Sequence, residues 1–332
     1  MNPSRVSVVI PNYNGARLLE PLLNQLPLQS HSPAEVIVVD NGSTDPSRAI
    51  ASKYGAKVLA LDRNYGFAYA VNRGVEAAGN DLVAILNNDV ELDPGWLAHL
   101  VNAVVAGSTF ATGKTLMASR RDRIDGTFDL VSVSGCAWRA GHGAPDGPIW
   151  SEPRTIDIAP MTALLIRRHR YLEAGGLDER FGSYLEDVDF GLRCAAKGYS
   201  GSYIPSAVAY HVGSATRGPW HPLTVRQISR NQLLLVAKHV GRQGLRQSGV
   251  GIAVGQVLWG LLALRHGRIL DWFRGKIEGL RMFQQFCLEG DHRAAPLFLR
   301  HEALIRELQG NRMDQFWRWY FRLTGRGRIP RS

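Results

Sequence analysis

Continuous apolar runs alternate with amphipathic segments through the first ninety or so residues. "VSVVIPNYN" (6–14), "AEVIVVDNGSTD" (34–45) and "LVAILNND" (82–89) are rich in β-branched residues and close on polar ones. Uninterrupted runs of this kind suit strands of a parallel sheet covered on both faces. Helical spacing fills the intervals at 16–26, 46–54 and 68–78, and Asp45-Pro46 has the form of an N-cap followed by proline at the first helical position. The alternation predicts a doubly wound α/β sheet. Ligands of such sheets sit outside the carboxyl ends of the strands. Those ends carry Asn12 and Asn14, Asp40 and Asn41, then Asn87 to Asp89.

From 112 to 150 the pattern loosens into a Gly-rich stretch, which predicts either a long functional loop or an exposed hairpin. Residues 161–181 read as strand then helix, closed by Gly175-Gly176. A further helix builds around the acids of 183–199, and 201–213 is a short strand ending at His211. Beyond Gly213 strand signals fade and 226–323 reads as helices. The apolar run 249–264 has sixteen residues, fewer than the ~20 a bilayer span needs. Arg246, Arg265, Arg268 and Arg274 flank it, so it reads either as a helix lying on a membrane surface or as one packed on the body.

Composition adds constraints. At 332 residues the chain suits one large domain or two modest ones. Its three cysteines, Cys136, Cys194 and Cys287, form no CxxC pair, which disfavours a disulfide framework or a structural zinc site and fits a reducing cytosol. The N-terminus enters a strand-like run almost at once, so no signal peptide is expected. The net charge of +10 is uneven. Through Val212 there are 19 Lys and Arg against 22 Asp and Glu, and from Gly213 onward 20 against 7. A slightly acidic body therefore carries a strongly basic tail.

The polar positions offer chemistry, each beside a plainer reading. Asp40 before "NGSTD" can accept hydrogen bonds from a base or ribose, or simply make an Asx turn. Asn64 and Gly66 precede a helix bearing Asn72 and Arg73, a natural phosphate seat or an ordinary polar lead-in. There is no Gly-x-Gly-x-x-Gly after the first strand and no Gly-Lys-Ser/Thr, so dinucleotide and P-loop sites lose their main support. Asn87-Asn88-Asp89 is a metal corner or a polar turn. Glu186-Asp187, with Asp189, opens a helix as a general base in a cleft or as an acidic cap. His211 is a metal ligand or a structural histidine.

Taken in order, "VVIPNYNG", "VIVVDNGSTD", "NYGFAYAVNRG", "ILNNDV", "ALLIRR…EAGGLDERF" and "YLEDVDFGLR" resemble the family 2 glycosyltransferases of the GT-A fold, over residues 6–215. Within that family the chain looks most like the rhamnosyltransferase-type branch that builds bacterial polysaccharides. The resemblance implies a GT-A type, doubly wound, mostly parallel, Rossmann-like α/β sheet with a helical, basic C-terminal extension. Residues 1–212 would be the catalytic domain, with a nucleotide-sugar half (1–110) and an acceptor and catalytic half (111–212), and 213–332 the helical region.

By the same resemblance, Pro11, Tyr13, Asn14 and Asp40 hold the base, and Asn64, Gly66 and Asn72 face the diphosphate. Asp89, the one acid left of the family's acidic motif, binds Mg2+ or Mn2+ with His211. Asp187 is the general base and Glu186 positions the acceptor or its loop. The implied reaction is inverting transfer of a sugar from a nucleotide-diphosphate donor, dTDP-rhamnose or a UDP-sugar, to a hydroxyl of a glycan or lipid-linked acceptor in cell-surface polysaccharide synthesis. The tail, with Trp259, Trp272, Phe273, Trp317, Trp319 and Phe321 among its cations, suits an anionic membrane surface and so a peripheral enzyme on the cytoplasmic face. Two rival readings remain at this point. One is a non-catalytic sugar-nucleotide or glycan-binding protein of the same fold. The other is a nucleic-acid-binding protein acting through its tail, which the apolar and aromatic interleaving disfavours.

Overall fold

The β-branched runs form the middle of a ten-stranded sheet in a computed structural model that describes residues 5–213, 220–310 and 313–326, without the side chains of 242 and 243. The last two residues of the family-like stretch, 214 and 215, lie outside the described residues. In chain order the first elements are β1 (Val6–Asn12), α1 (Ala16–Gln25), β2 (Glu35–Asp40), α2 (Ser47–Lys53), β3 (Lys57–Ala60), α3 (Phe67–Ala77), β4 (Leu82–Leu86), β5 (Val90–Leu92) and α4 (Trp96–Val105). Then come β6 (Phe110–Met117), β7 (Arg120–Gly126), β8 (Asp129–Val131), β9 (Ala137–Arg139), β10 (Arg154–Ile156), β11 (Ala163–Arg167), α5 (Arg168–Glu173), α6 (Glu186–Ala196) and β12 (Gly201–His211). The helices that follow are α7 (Pro222–Arg265), α8 (Ile269–Glu289), α9 (Ala295–Gln309) and α10 (Gln315–Thr324).

The sheet order is β10-β12-β6-β11-β4-β1-β2-β3, with β5 on β12 and β7 on β6. β3, β2, β1 and β4 are parallel, and β6 is parallel to β12. Strand β11 runs antiparallel between β4 and β6. Val6, Val8, Val9 and Ile10 are fully buried, as expected of a strand covered on both faces. The register matters more than the count. Asn12 lies opposite Asp40, and β4 runs alongside β1, so three strands deliver their polar ends to one edge. This is the doubly wound α/β architecture with a helical C-terminal part that the sequence implies. Strand β3 is an addition to that reading.

The described residues divide into two compact units. One holds residues up to Phe128, Gly141–Cys194 and the strand after Gly198; the other holds Asp129–Ala140, Ala195–Lys197 and the helices from Pro222 on. The β8–β9 hairpin belongs to the helical unit and is buried there, with Ser132, Val133 and Ser134 closed to solvent, rather than exposed. Helix α7 breaks at Gly241, whose φ of 69° suits glycine. Its second limb folds back on the first, where Trp259 Nε1 donates to Ser229 Oγ at 2.9 Å. Helix α8 runs antiparallel to that limb, since Trp272 meets Gly260 and Lys276 meets Gln256.

The second limb corrects the length read from sequence. Gly244–Arg265 spans 22 residues, long and apolar enough to cross a membrane, with 28% of its apolar window buried. The tail aromatics also divide. Trp317 and Phe321 belong to the core, whereas Phe273 and Trp319 are exposed.

Candidate active site

The nucleotide-side residues meet where β1 and β2 end. Asn14 adopts a positive φ of 48°, which lets its Oδ1 accept from Thr44 N at 2.8 Å while its own N–H donates to Ser43 Oγ at 2.9 Å. The loops after β1 and β2 are thereby tied together. Pro11 lies opposite Val39 in the register, and Tyr13 is exposed beside Asn14. Asp40 is fully buried. Its Oδ2 accepts from Arg48 Nε at 2.5 Å and from Ser43 N at 3.2 Å. Its Oδ1 is buried with no hydrogen-bond partner among the described residues. A carboxylate oxygen left so costs roughly 1–3 kcal/mol, which a donor group on a ligand would recover.

Asn41 organises the next loop. Its Nδ2 reaches Asn64 Oδ1 and Gly66 O, and its Oδ1 accepts from Tyr65 N at 2.9 Å. Asn64 Oδ1 in turn accepts from Gly66 N at 2.9 Å. Gly66, at φ 96°, lies against Gly182 backbone, and Ala68 N donates to Gly182 O at 3.0 Å. The α3 lead-in loop is thus packed on the segment that leads to Glu186 and Asp187.

Asn72 does not join this group. It is buried, its Nδ2 donates to Leu177 O and Glu179 Oε1, and its Oδ1 accepts from Leu177 N and Tyr171 Oη. Two donors and two acceptor positions are all that an amide has, so none remains for a diphosphate. The structure makes Asn72 a latch between α3 and the loop after α5, against the role implied by the resemblance.

The corner after β4 is built by amides. Asn88 Nδ2 donates to Asn12 Oδ1 at 2.7 Å, pinning the β4 end to the β1 end. Gly15 is needed there, because a Cβ would sit 2.1 Å from Asn88 Nδ2. Beyond the corner, β5 pairs with β12 so that Val90 lies opposite His211, and Asp89 reaches the imidazole. Asp89 Oδ1 lies 3.2 Å from His211 Nε2, and His211 Nδ1 donates to Asp125 Oδ2 at 2.9 Å. All three side chains are about nine-tenths buried. Burial opposes the charge on His211, but the hydrogen bonds and charges of Asp125 and Asp89 outweigh it and hold the imidazole up to about 9. Asp125 was missed in the sequence because it lies in the stretch without periodicity.

Asp89 and His211 fit a small divalent cation. A carboxylate oxygen and an imidazole nitrogen lie 3.2 Å apart, and both are atom types that ligate divalent cations. Asn87 Oδ1, two residues before Asp89, is buried with no hydrogen-bond partner among the described residues. No cluster of three or more His, Cys, Asp or Glu groups suited to an ion occurs among the described residues. An ion here would have two protein ligands and would take further ones from diphosphate and water.

The acid pair sits behind a strained turn. Tyr184 and Leu185 have φ of 71° and 67°, and α6 begins immediately after with Glu186 and Asp187. Two consecutive non-glycine residues in the left-handed region cost of order 1–3 kcal/mol each and cluster at functional sites. Glu186 is buried and Asp187 half-buried, with Asp187 Oδ1 accepting from Val188 N at 2.9 Å. Asp189 is structural. Its Oδ2 accepts from Arg193 Nε at 2.8 Å, and Arg193 also donates to Ala174 O and Gly176 O.

The chain is similar to several known proteins. An N-acetylglucosaminyl-diphospho-decaprenol L-rhamnosyltransferase of Mycobacterium tuberculosis is 31% identical over 264 residues, covering 70% of this chain and 85% of that protein. The O-antigen biosynthesis protein RfbC of Myxococcus xanthus is 30% identical over 229 residues, 64% of this chain and 18% of that much longer one. A mannosyltransferase from Pyrobaculum calidifontis, solved with GDP-Man and Mn2+, aligns over 97% of this chain and 84% of its own at 18% identity and a TM-score of 0.48. The sequence profile described as Glycosyl transferase family 2 matches residues 7–142. The chain belongs to glycosyl transferase family 2.

Proposed function

We propose that this glycosyltransferase moves a sugar, with inversion, from a nucleotide-diphosphate donor to a hydroxyl of a lipid-linked glycan in cell-wall polysaccharide synthesis. The observation that carries the reading is the shared edge. The β1 and β2 ends, the Asn64–Gly66 loop, the Asp89–His211 pair and the loop before Asp187 all belong to one unit. The M. tuberculosis relative names the acceptor class and a rhamnosyl donor, and dTDP-rhamnose is the first donor to try, with UDP-sugars next.

Asp40 and the tied loops around Asn14 hold the nucleoside, and Asp40 Oδ1 accepts from it. Asn64 and Gly66 shape the backbone at the α3 N-terminus beneath the diphosphate. Asp89 and His211 would hold Mg2+ or Mn2+, which would supply neutralisation of charge on the departing diphosphate. Asp187 takes the proton of the acceptor hydroxyl as that oxygen bonds to the anomeric carbon. The bond from that carbon to the diphosphate oxygen breaks on the opposite face, and its electron pair leaves with the nucleotide. Glu186, at the head of α6, positions the acceptor or its loop.

The helical unit is proposed to lie on an anionic bilayer. Along α8, Leu270, Phe273, Ile277, Leu280 and Leu288 are exposed at helical spacing, and Arg274 and Arg281 stand beside the stripe. Apolar side chains flanked by cations on a net +13 segment match an anionic surface. A span by Gly244–Arg265 would carry the charged α8 into the hydrocarbon with it, which is unfavourable.

A donor screen tests the transfer. UDP-, dTDP- and GDP-sugars are offered with and without Mn2+, reading thermal shift, hydrolysis and transfer to a polyprenyl-diphosphate glycan. One donor class should stabilise the chain and turn over with Mn2+; no response to any donor would overturn the reading. Co-sedimentation with phosphatidylglycerol vesicles, but not with phosphatidylcholine vesicles or duplex DNA, tests the surface.

A further inference from the structure

We infer that Asp125 is the positioning residue for His211, and that it sets which imidazole nitrogen faces Asp89. The inference rests on the metal reading of Asp89 and His211 and adds a residue to it. Strand β7 pairs with β6 as Gly126 opposite Thr115 and Ile124 opposite Leu116, so Asp125 is the extra residue of a β-bulge. A bulge re-aims a side chain that regular alternation would send elsewhere, and bulges recur beside active sites. Here the carboxylate turns to β12, which runs alongside β6, and Asp125 Oδ2 lies 2.9 Å from His211 Nδ1.

A carboxylate only accepts hydrogen bonds, so this contact places a proton on Nδ1. With Nδ1–H committed, Nε2 is the nitrogen left to ligate, and it is the one 3.2 Å from Asp89 Oδ1. A carboxylate on the far ring nitrogen of a ligating histidine fixes the ring and makes it a better ligand. Asp125 is itself held from the other side. His142 Nδ1 lies 2.8 Å from Asp125 O and 3.9 Å from Asp125 Oδ1. The bulge, the contact distance and the burial converge on Asp125 as the carboxylate that holds His211.

The test is Mn2+ binding by the full chain in saturating UDP, dTDP or GDP, read by EPR of free Mn2+ and by pulsed EPR of directly bound imidazole nitrogen. Wild type should bind with a nitrogen coupling that His211→Ala abolishes. Asp125→Asn keeps the shape but offers an N–H to Nδ1, which moves the ring proton to Nε2. It should weaken binding about 10–100-fold and lose the coupling while the melting temperature stays near wild type. Asp125→Ala should weaken binding similarly and serves if the amide variant misfolds. Wild-type affinity and coupling in both variants would overturn the proposal, as would weaker binding with the coupling unchanged, since the effect would then be charge alone. If His211→Ala binds Mn2+ like wild type, the metal pair fails first and the role of Asp125 fails with it.

Discussion

Two buried carboxylates, one in each unit, show what separates a site from a scaffold. In the sheet unit, Asp40 is fully buried, yet one oxygen has no partner among the described residues. In the helical unit, Glu302 is equally buried and both oxygens are engaged. Oε1 accepts from Val133 N at 3.0 Å and Tyr320 Oη at 2.6 Å, and Oε2 accepts from Arg326 Nε at 2.6 Å. Burial of a carboxylate is costly in both places. Only at Asp40 does the fold leave part of that cost for something outside the chain to offset. The difference predicts that substitutions near Asp40 and Asp187 change transfer, whereas those around Glu302 change stability.

The largest expected effect tests the first half. Asp187→Asn removes the proton acceptor while keeping shape and helix start. Transfer should fall about 10²–10⁴-fold, with donor-induced thermal shift retained. A variant that still transfers at a tenth of the wild-type rate would remove Asp187 from the chemistry. It would also favour the non-catalytic strained turn as the reason for its placement.

Glu302→Ala tests the second half. It strands Tyr320 Oη, Val133 N and the Arg326 guanidinium in the core, and breaking a buried pair this way costs about 3–5 kcal/mol. Urea or thermal melts should show that loss. A change under 1 kcal/mol would mean that the cluster is not the scaffold it resembles.

Asn72 sits between the two cases. As a latch it should cost about 2 kcal/mol when cut to alanine, because Leu177 N, Leu177 O and Tyr171 Oη lose their partner. The donor KM should hold. A raised KM with unchanged stability would restore the diphosphate role implied by the resemblance.

The comparison also explains what the sequence could and could not reveal. Asp40 and Asp89 were legible because long apolar runs announce strands, and a polar residue closing such a run must lie at the sheet edge. Strand β3 was hidden, since its four residues are part-exposed and carry no clear period. The antiparallel part was hidden for a different reason. Residues 112–150 hold the β6–β7 and β8–β9 hairpins, and the register shifts in β6–β7 break regular alternation, so neither the bulge at Asp125 nor its long-range meeting with His211 leaves a local pattern. The strained Tyr184-Leu185 turn is likewise invisible, because neither residue type announces a left-handed backbone. In the tail, helices were legible, but the reversal at Gly241 was not. One glycine among several carries the turn, and which face each aromatic shows depends on it.

The smallest effect concerns Lys276, another buried charge of the helical unit. Its Nζ donates to Ser229 O at 2.7 Å, to Gln232 Oε1 at 3.0 Å and to Gln256 Oε1, three oxygens for three N–H groups. Burial nevertheless pushes the amine down to about 7 from its ordinary 10.5. Between those values the unfolded chain holds a proton that the folded unit lacks, so stability from this group rises with pH. Below about 7 both states are protonated and the folded unit bears the whole penalty. Lys276→Met keeps the length and removes the titration, leaving a pH-independent loss at the three oxygens. The melting temperature of wild type minus that of the variant should therefore climb between pH 7 and 9, by a few degrees at most. A difference that stays flat would show that the three oxygens hold Lys276 charged. Lys276 would then join Glu302 as a buried group whose partners all lie inside the unit, which would set the helical unit still further from the half-satisfied edge at Asp40.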